Sequence, residues 1–340
     1  RTEREARKYL TSQIAKVDAG TFVAAPKAKL MSEVLDSWFS SKTKVRATTL
    51  AAYRVAVENW LKPRIGGVKL PALTEQQVHQ LAKDLAATGG KKGGPLSARS
   101  VQLALVTLKQ TINYAIRQGW VLRNVAAEVS VRPNSRTMKI WTKEQTRAFL
   151  ASIRADRLAA LYTLALTRAM RRGELAGLRW DAVDLEAGHL RVEQTVVLVD
   201  GHPQTSKPKT NASGRKVPLD PDLVTVLRTH RKRQLEDRLA AGTGWTDTGY
   251  VFTNEIGEPL HPDHISNRFE ALVRDAKLPA IRLHDCRHTA ASLMLDAKVP
   301  TKTVSELLGH SDVRVTLAIY AHVMPGTAEE AAAALTRMVL

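Results

Sequence analysis

A change in the spacing of apolar residues constrains this chain most. Over residues 31–39, 48–61, 74–87 and 97–118 they recur every three or four positions, the period of a helix with one buried face. The spacing stays helical over 143–153, 158–169 and 172–178. It then gives way, over 190–199, to a run rich in β-branched residues that ends at Asp200-Gly201, a strong hairpin turn. A second hairpin is expected to close at 215–219, with its turn within 211–214. Helical spacing returns over 221–240, 264–276, 284–296, 301–308 and 311–322. The expected fold class is therefore mainly α with a small antiparallel β-sheet.

At 340 residues the chain is too long for one small core. Pro133, Asn134 and Ser135 mark a break, so residues 28–132 read as one helical domain, 133–142 as a linker and 143–323 as a second, mixed domain. Thr327 and Glu330 form a capping box for a helix reaching residue 340, with Ala331, Ala334, Leu335, Met338 and Val339 on one face. Residues 1–17 carry helical spacing that Asp18-Ala19-Gly20 ends, so the chain reads as starting inside an element. The glycine-rich stretch 89–95 lacks both a GK[ST] sequence and a preceding strand, and reads as a flexible connector, not a phosphate cradle.

Fifty-one lysines and arginines stand against 33 acids, a net charge of +18 that favours a polyanionic partner, nucleic acid above all. Residues 1–132 hold 22 of these bases against 9 acids, and residues 133–340 hold 29 against 24. A membrane partner is disfavoured, because the bases are scattered and the longest apolar run, 158–166, is too short to span a bilayer. With no apolar segment at residues 1–5, the expectation is a cytoplasmic protein. A single cysteine, Cys286, rules out an internal disulfide and reads as a small buried packing position.

Candidate chemistry lies in an ordered set: Arg171, Lys209, His284-Asp285-Cys286-Arg287, Gly309-His310 and Tyr320. Cutting a phosphodiester without a metal needs a nucleophile, cations for the transition-state oxygens and a proton donor for the leaving oxygen. Arg171 and Arg287 suit the second role, because a guanidinium stays charged and pairs with two phosphate oxygens at once. Lys209, expected on an extended arm before a turn, suits the third, since crowding by cations lowers a lysine's pKa. Tyr320 suits the first. His284 and His310 can donate hydrogen bonds to phosphate oxygens or accept a proton near neutral pH.

This ordered set resembles the tyrosine recombinase family, most closely the phage-type integrases, and the match runs from residue 164 to 323. The resemblance implies a helical core-binding domain at 28–132 and a tyrosine-recombinase catalytic domain at 143–323. It implies that Arg171, Arg287 and His310 bind the scissile phosphate, that Lys209 protonates the 5′ oxygen, and that Tyr320 becomes linked to the 3′ phosphate. His284 would assist as acid, base or orienter, and Glu174 would support Arg171. Arg46, Thr49, Arg54, Arg99 and Lys109 become candidate DNA contacts. The partners implied are double-stranded DNA at attachment core sites, a Holliday junction, three further protomers in a homotetramer, and accessory DNA-bending or directionality proteins. No metal or other cofactor is implied. Residues 1–27 would be the tail and linker of a preceding arm-binding domain, and residues 324–340 would pack on a neighbouring protomer. Where the family has Thr-Gly, this chain has Arg168-Ala169, which bears on the turn that aims Arg171. Lys207 competes with Lys209, and Thr210 favours the latter. The rival readings are a type IB topoisomerase, a silent architectural DNA-binding protein, and a metal nuclease using Asp181 and Asp184, which read better as turn residues.

Overall fold

The computed structural model describes residues 2–18, 29–132, 138–206, 214–310, 312–320 and 328–339. The chain divides into two compact units, Arg1–Arg136 and Thr137–Leu340. In the first, α1 (Glu3–Asp18) precedes α2 (Met31–Ser40) and α3 (Ala47–Val55), and α3 runs through a π-helical turn, Ala56–Leu61, into α4 (Lys62–Ile65). The wide turn has a cause in Pro63. A proline ring in a regular helix strikes the carbonyl four residues back and has no N–H to offer it. Widening the helix lets the Lys62 N–H reach the Val57 carbonyl instead.

α5 (Glu75–Thr88) and α6 (Ala98–Arg117) complete the unit. Thr74 caps α5 in a box with Gln77, and the Ser97 hydroxyl accepts from the Ser100 N–H at the start of α6. Val101, Ala104, Leu105, Leu108 and Ile112 of α6 pack against Met31, Leu35, Trp38, Val57 and Leu61. The glycine-rich stretch is folded on itself: the Gly90 N–H donates to the Gly94 carbonyl at 2.7 Å.

In the second unit α7 (Lys143–Ser152), α8 (Ala159–Thr167) and α9 (Arg172–Ala176) lead into β1 (Val183–Asp184), β2 (His189–Arg191), β3 (Thr195–Val199), β4 (His202–Ser206) and β5 (Lys216–Pro218). Then come α10 (Pro221–Ala241), α11 (Pro262–Asp275), α12 (Leu283–Asp296), α13 (Thr301–Leu308), α14 (Val313–Tyr320) and α15 (Ala328–Val339). Trp141, Phe149, Tyr162 and Phe269 form the aromatic centre of its main core, with Phe149 and Phe269 5.3 Å apart. A smaller core of Ala169, Ala290, Ala291, Leu295, Val304 and Leu308 encloses Tyr320.

The expected single strand over 190–199 is two strands in two sheets. β2 joins β1 and β5, and β3 pairs only with β4. β3 is instead seated closely on α9: a Cβ on Gly173 would lie 2.4 Å from the Thr195 hydroxyl oxygen and 2.6 Å from the Val196 carbonyl oxygen. Only glycine allows that approach. The first hairpin turn is where it was expected, with Asp200 at φ 51° and Gly201 at φ 83°. The segment 215–219 does not close a hairpin with the arm before it; β5 pairs with β2, Leu190 opposite Val217. The expected turn at 211–214 lies outside the described residues save for Gly214. Among the described residues no helix is long and apolar enough to cross a membrane.

Candidate active site

The site is assembled on the C-terminal end of α13. A helix leaves its last carbonyls without internal partners and concentrates negative potential there. Gly309, at φ 63°, closes α13 in the left-handed conformation, its N–H donating to Glu306 and that of His310 to Ser305. Three arginines from three other segments take the last three carbonyls. Arg215 Nε donates to Leu307 at 2.8 Å, Arg287 Nη2 to Leu308, and Arg171 Nη2 to Gly309 at 3.3 Å.

One carboxylate serves two of these cations. Glu174, 4 % exposed, accepts from both Nη atoms of Arg215 and from Nη1 and the backbone N–H of Arg171. Burial acts to raise its pKa, but the Arg215 hydrogen bonds and charge, together with Arg171, hold it below the ordinary glutamate value. Arg287 is buried and has no carboxylate among its described hydrogen-bond partners; Nη1 donates to the Ala169 carbonyl at 2.7 Å. Burial first, then Arg171, pulls Arg287 down to about 9, which still leaves it charged at neutral pH. Three guanidiniums facing one carboxylate leave this cluster with two positive charges in excess.

Ala169 carries the departure noted in the sequence. It occupies the left-handed region at φ 53°, where a Cβ costs about 1 kcal/mol. Its carbonyl meets Arg287 Nη1. Its neighbour Arg168 is drawn off to Pro218 and Asp220.

The motif helix α12 begins with Asp285 accepting from the Arg282 backbone N–H at 2.8 Å and from its guanidinium. Cys286 is fully buried, as its place in the motif suggested. His284 is itself exposed in a first turn that is otherwise buried, its ring edge-on to that of His288 with centroids 5.1 Å apart. His288, not His284, meets the tyrosine: its Nδ1 is 2.7 Å from the Tyr320 Oη. Burial raises Tyr320 to about 12, with Arg287 opposing. Burial, then His284, lowers His288 to about 4; burial, then Arg287 and Arg171, lowers His310 to about 4. The His310 Nδ1 is 2.9 Å from the buried Thr316 hydroxyl, which fixes the ring.

The structure thus brings together Arg171, Glu174, Arg287, His310 and Tyr320, with His284 at the rim. Lys209 and Lys207 lie outside the described residues. Two residues were missed. Arg215 was expected only to open the strand 215–219, and nothing local announces Glu174 or Leu307 as its partners. His288 did carry a signal, since it follows His284 by four residues on one helix face. In the first unit Arg46 and Thr49 are exposed at the start of α3, and Arg54 lies over the Phe39 ring. Arg99 donates to Gln102, and the half-buried Lys109 donates to the Ala127 carbonyl at 2.5 Å. Asp184 accepts from the Glu186 and Ala187 N–H groups, and Asp181 pairs with Arg179, so both serve local structure. Among the described residues no group of three or more His, Cys, Asp or Glu is placed to hold a metal ion.

A mostly helical unit with paired small sheets, carrying clustered arginines beside a buried tyrosine, defines a class of phosphodiester strand-transfer enzymes. Residues 139–326 match the Phage integrase family and residues 30–86 its N-terminal SAM-like domain, and the chain belongs to that family of site-specific DNA recombinases. The tyrosine recombinase XerC-like protein of Caldanaerobacter subterraneus subsp. tengcongensis is 29% identical over 317 residues, covering 87% of this chain and 80% of that one. The ICEBs1 integrase of Bacillus subtilis is 28% identical over 263 residues, 76% of this chain and 70% of its own. The Tn1549 transposon integrase, solved with a circular intermediate DNA, superposes with a TM-score of 0.75 at 19% identity, over 92% of this chain and 100% of that one.

Proposed function

We propose that the chain cuts and rejoins duplex DNA at the core sites of a mobile element or phage genome through a 3′-phosphotyrosine at Tyr320. The observation that carries this is the convergence of Arg171, Arg215 and Arg287 on the last carbonyls of α13, whose cap also presents His310. A phosphodiester carries one negative charge and its five-coordinate transition state two, so the two excess positive charges match the transition state better than the ground state. Arg171, Arg287 and His310 bind the non-bridging oxygens and Tyr320 attacks phosphorus. Lys209 gives its proton to the departing 5′ oxygen, and His284 orients the phosphate from the rim.

Residues 28–132 supply a second DNA-binding domain, joined through the linker 133–142 to the catalytic domain 143–323, with Arg46, Thr49, Arg54, Arg99 and Lys109 as contacts. Four protomers assemble on paired sites and pass through a Holliday junction, with accessory DNA-bending proteins, in the bacterial cytoplasm. The C-terminal segment 324–340 docks on a neighbouring protomer, a role supported by Leu335 and Met338, which are 60% and 82% exposed. The test uses core-site duplexes nicked near the cleavage point, so that the cut end diffuses away and the protein stays attached. A denaturing gel should show protein-linked DNA with the wild type and none with Tyr320→Phe. Adduct formation by Tyr320→Phe would sink the assignment.

A further inference from the structure

We propose that His288 is the base that takes the phenolic proton of Tyr320 as the tyrosine oxygen attacks the scissile phosphate. The inference rests on the nucleophile assignment above and adds a catalytic residue to it. Nδ1 of His288 lies 2.7 Å from Oη of Tyr320, within direct proton-transfer distance. The geometry gives the motif histidine another place. His284 meets His288 edge to face, 5.1 Å between centroids and 88° between planes, so it touches the base.

The surroundings suit the role. Burial, His284, Arg287 and Arg282 all disfavour an imidazolium at His288, and Asp285 favours it. The ring is therefore neutral near pH 7 and, with its proton on Nε2, offers the Nδ1 lone pair to the phenol. Tyr320 holds its proton in the resting site, so transfer waits until the oxygen is bonding to phosphorus, when the phenol becomes strongly acidic. In the forward step the Oη–P bond forms and the P–O5′ bond breaks. The phenolic proton passes to Nδ1 and a separate proton passes from Lys209 to O5′. In rejoining, the 5′ hydroxyl attacks phosphorus and gives its proton back to Lys209, the P–Oη bond breaks, and the His288 imidazolium returns its proton to Oη.

The experiment measures single-turnover adduct formation on nicked core-site duplex by the full chain. His288→Ala removes the base; His288→Asn keeps a hydrogen-bond acceptor near the Nδ1 position without basicity. Both should cut about 10²- to 10³-fold more slowly, with core-site affinity within a few-fold of wild type. Placing a ring-fluorinated, more acidic tyrosine at position 320 should recover much of the loss in each variant, as should added imidazole in His288→Ala. A merely positioning histidine would instead be replaced by asparagine and would not respond to phenol acidity. Cleavage by His288→Asn within about three-fold of wild type overturns the proposal, as does a faster rate in either variant. Should His288→Ala fail to fold, the asparagine variant with fluorinated tyrosine decides alone. Absence of any wild-type adduct would overturn the nucleophile assignment and this inference with it, whereas equal adduct in wild type and variants overturns this inference only.

Discussion

Arg215 meets Glu174 end-on, Nη1 to Oε1 and Nη2 to Oε2, each at 3.0 Å, although the two are 41 residues apart in the chain. The pair is nearly closed to solvent, with side-chain exposures of 7% and 4%. Glu174→Ala leaves a buried guanidinium without its counter-ion, at a cost of about 3–5 kcal/mol. Urea denaturation should show that loss, and cleavage should fall with it because Arg171 shares the carboxylate. The pH dependence has a defined sign. Since the Glu174 pKa is depressed in the folded chain, its contribution is present above the ordinary glutamate pKa and is lost as pH falls through the lower folded value. Glu174→Gln should lack that acid-limb loss.

His288 and His310 should add a second acid limb. Both sit at about 4 in the folded chain against an ordinary 6.5, so the unfolded chain takes up protons first as pH drops. Stability should decline between about pH 6.5 and 4. Melting curves of His310→Gln across that range should fall less steeply than those of the wild type.

Ala169 isolates the role of the left-handed turn. Ala169→Gly removes about 1 kcal/mol of backbone strain, but it loses a buried methyl and loosens the unfolded chain, so the net change should stay within about 1 kcal/mol. Ala169→Val puts a β-branched side chain at φ 53° in a closed core, and should lower both the melting temperature and the cleavage rate by misplacing the carbonyl that holds Arg287.

The lysines at 207 and 209 are separated by the leaving group. A substrate with a bridging 5′ sulfur needs no protonation to depart, so it should rescue cleavage by Lys209→Ala. Lys207→Ala should lose only affinity. Rescue of the second and not the first reverses the roles.

Activity should also persist in EDTA, because the excess charge of the arginine cluster supplies what a metal ion would. Loss of cleavage on chelation, restored by magnesium, would count against the charge-matching argument.

Much of the fold was legible because its signals are local. Thr74, Ser97, Thr142 and Asp220 each cap a helix through their own side chains, and Asp200-Gly201 turns its hairpin with positive φ at both residues. The break between β2 and β3 was not read, although Glu193 and Gln194 interrupt the β-branched run there; the close seat of β3 on Gly173, some twenty residues earlier, has no local signal. The site divides in the same way. Arg171, His284, Arg287, His310 and Tyr320 could be read because each sits in a short ordered pattern. Arg215 could not, because its meaning depends on Leu307 and Glu174, neither of them near it in sequence. A basic residue beside a turn is usually solvated, and only the closed fold shows this one buried.

The arrangement of three arginines on the final turn of α13 also ties the site to one helix end. Each guanidinium meets a carbonyl of that turn and has a second hold elsewhere, Arg171 and Arg215 on Glu174 and Arg287 on the Ala169 carbonyl. Fraying of the turn would therefore cost each arginine one hold and leave it the other. The cations are doubly moored, so loosening of the helix end would slacken the site before it dismantled it.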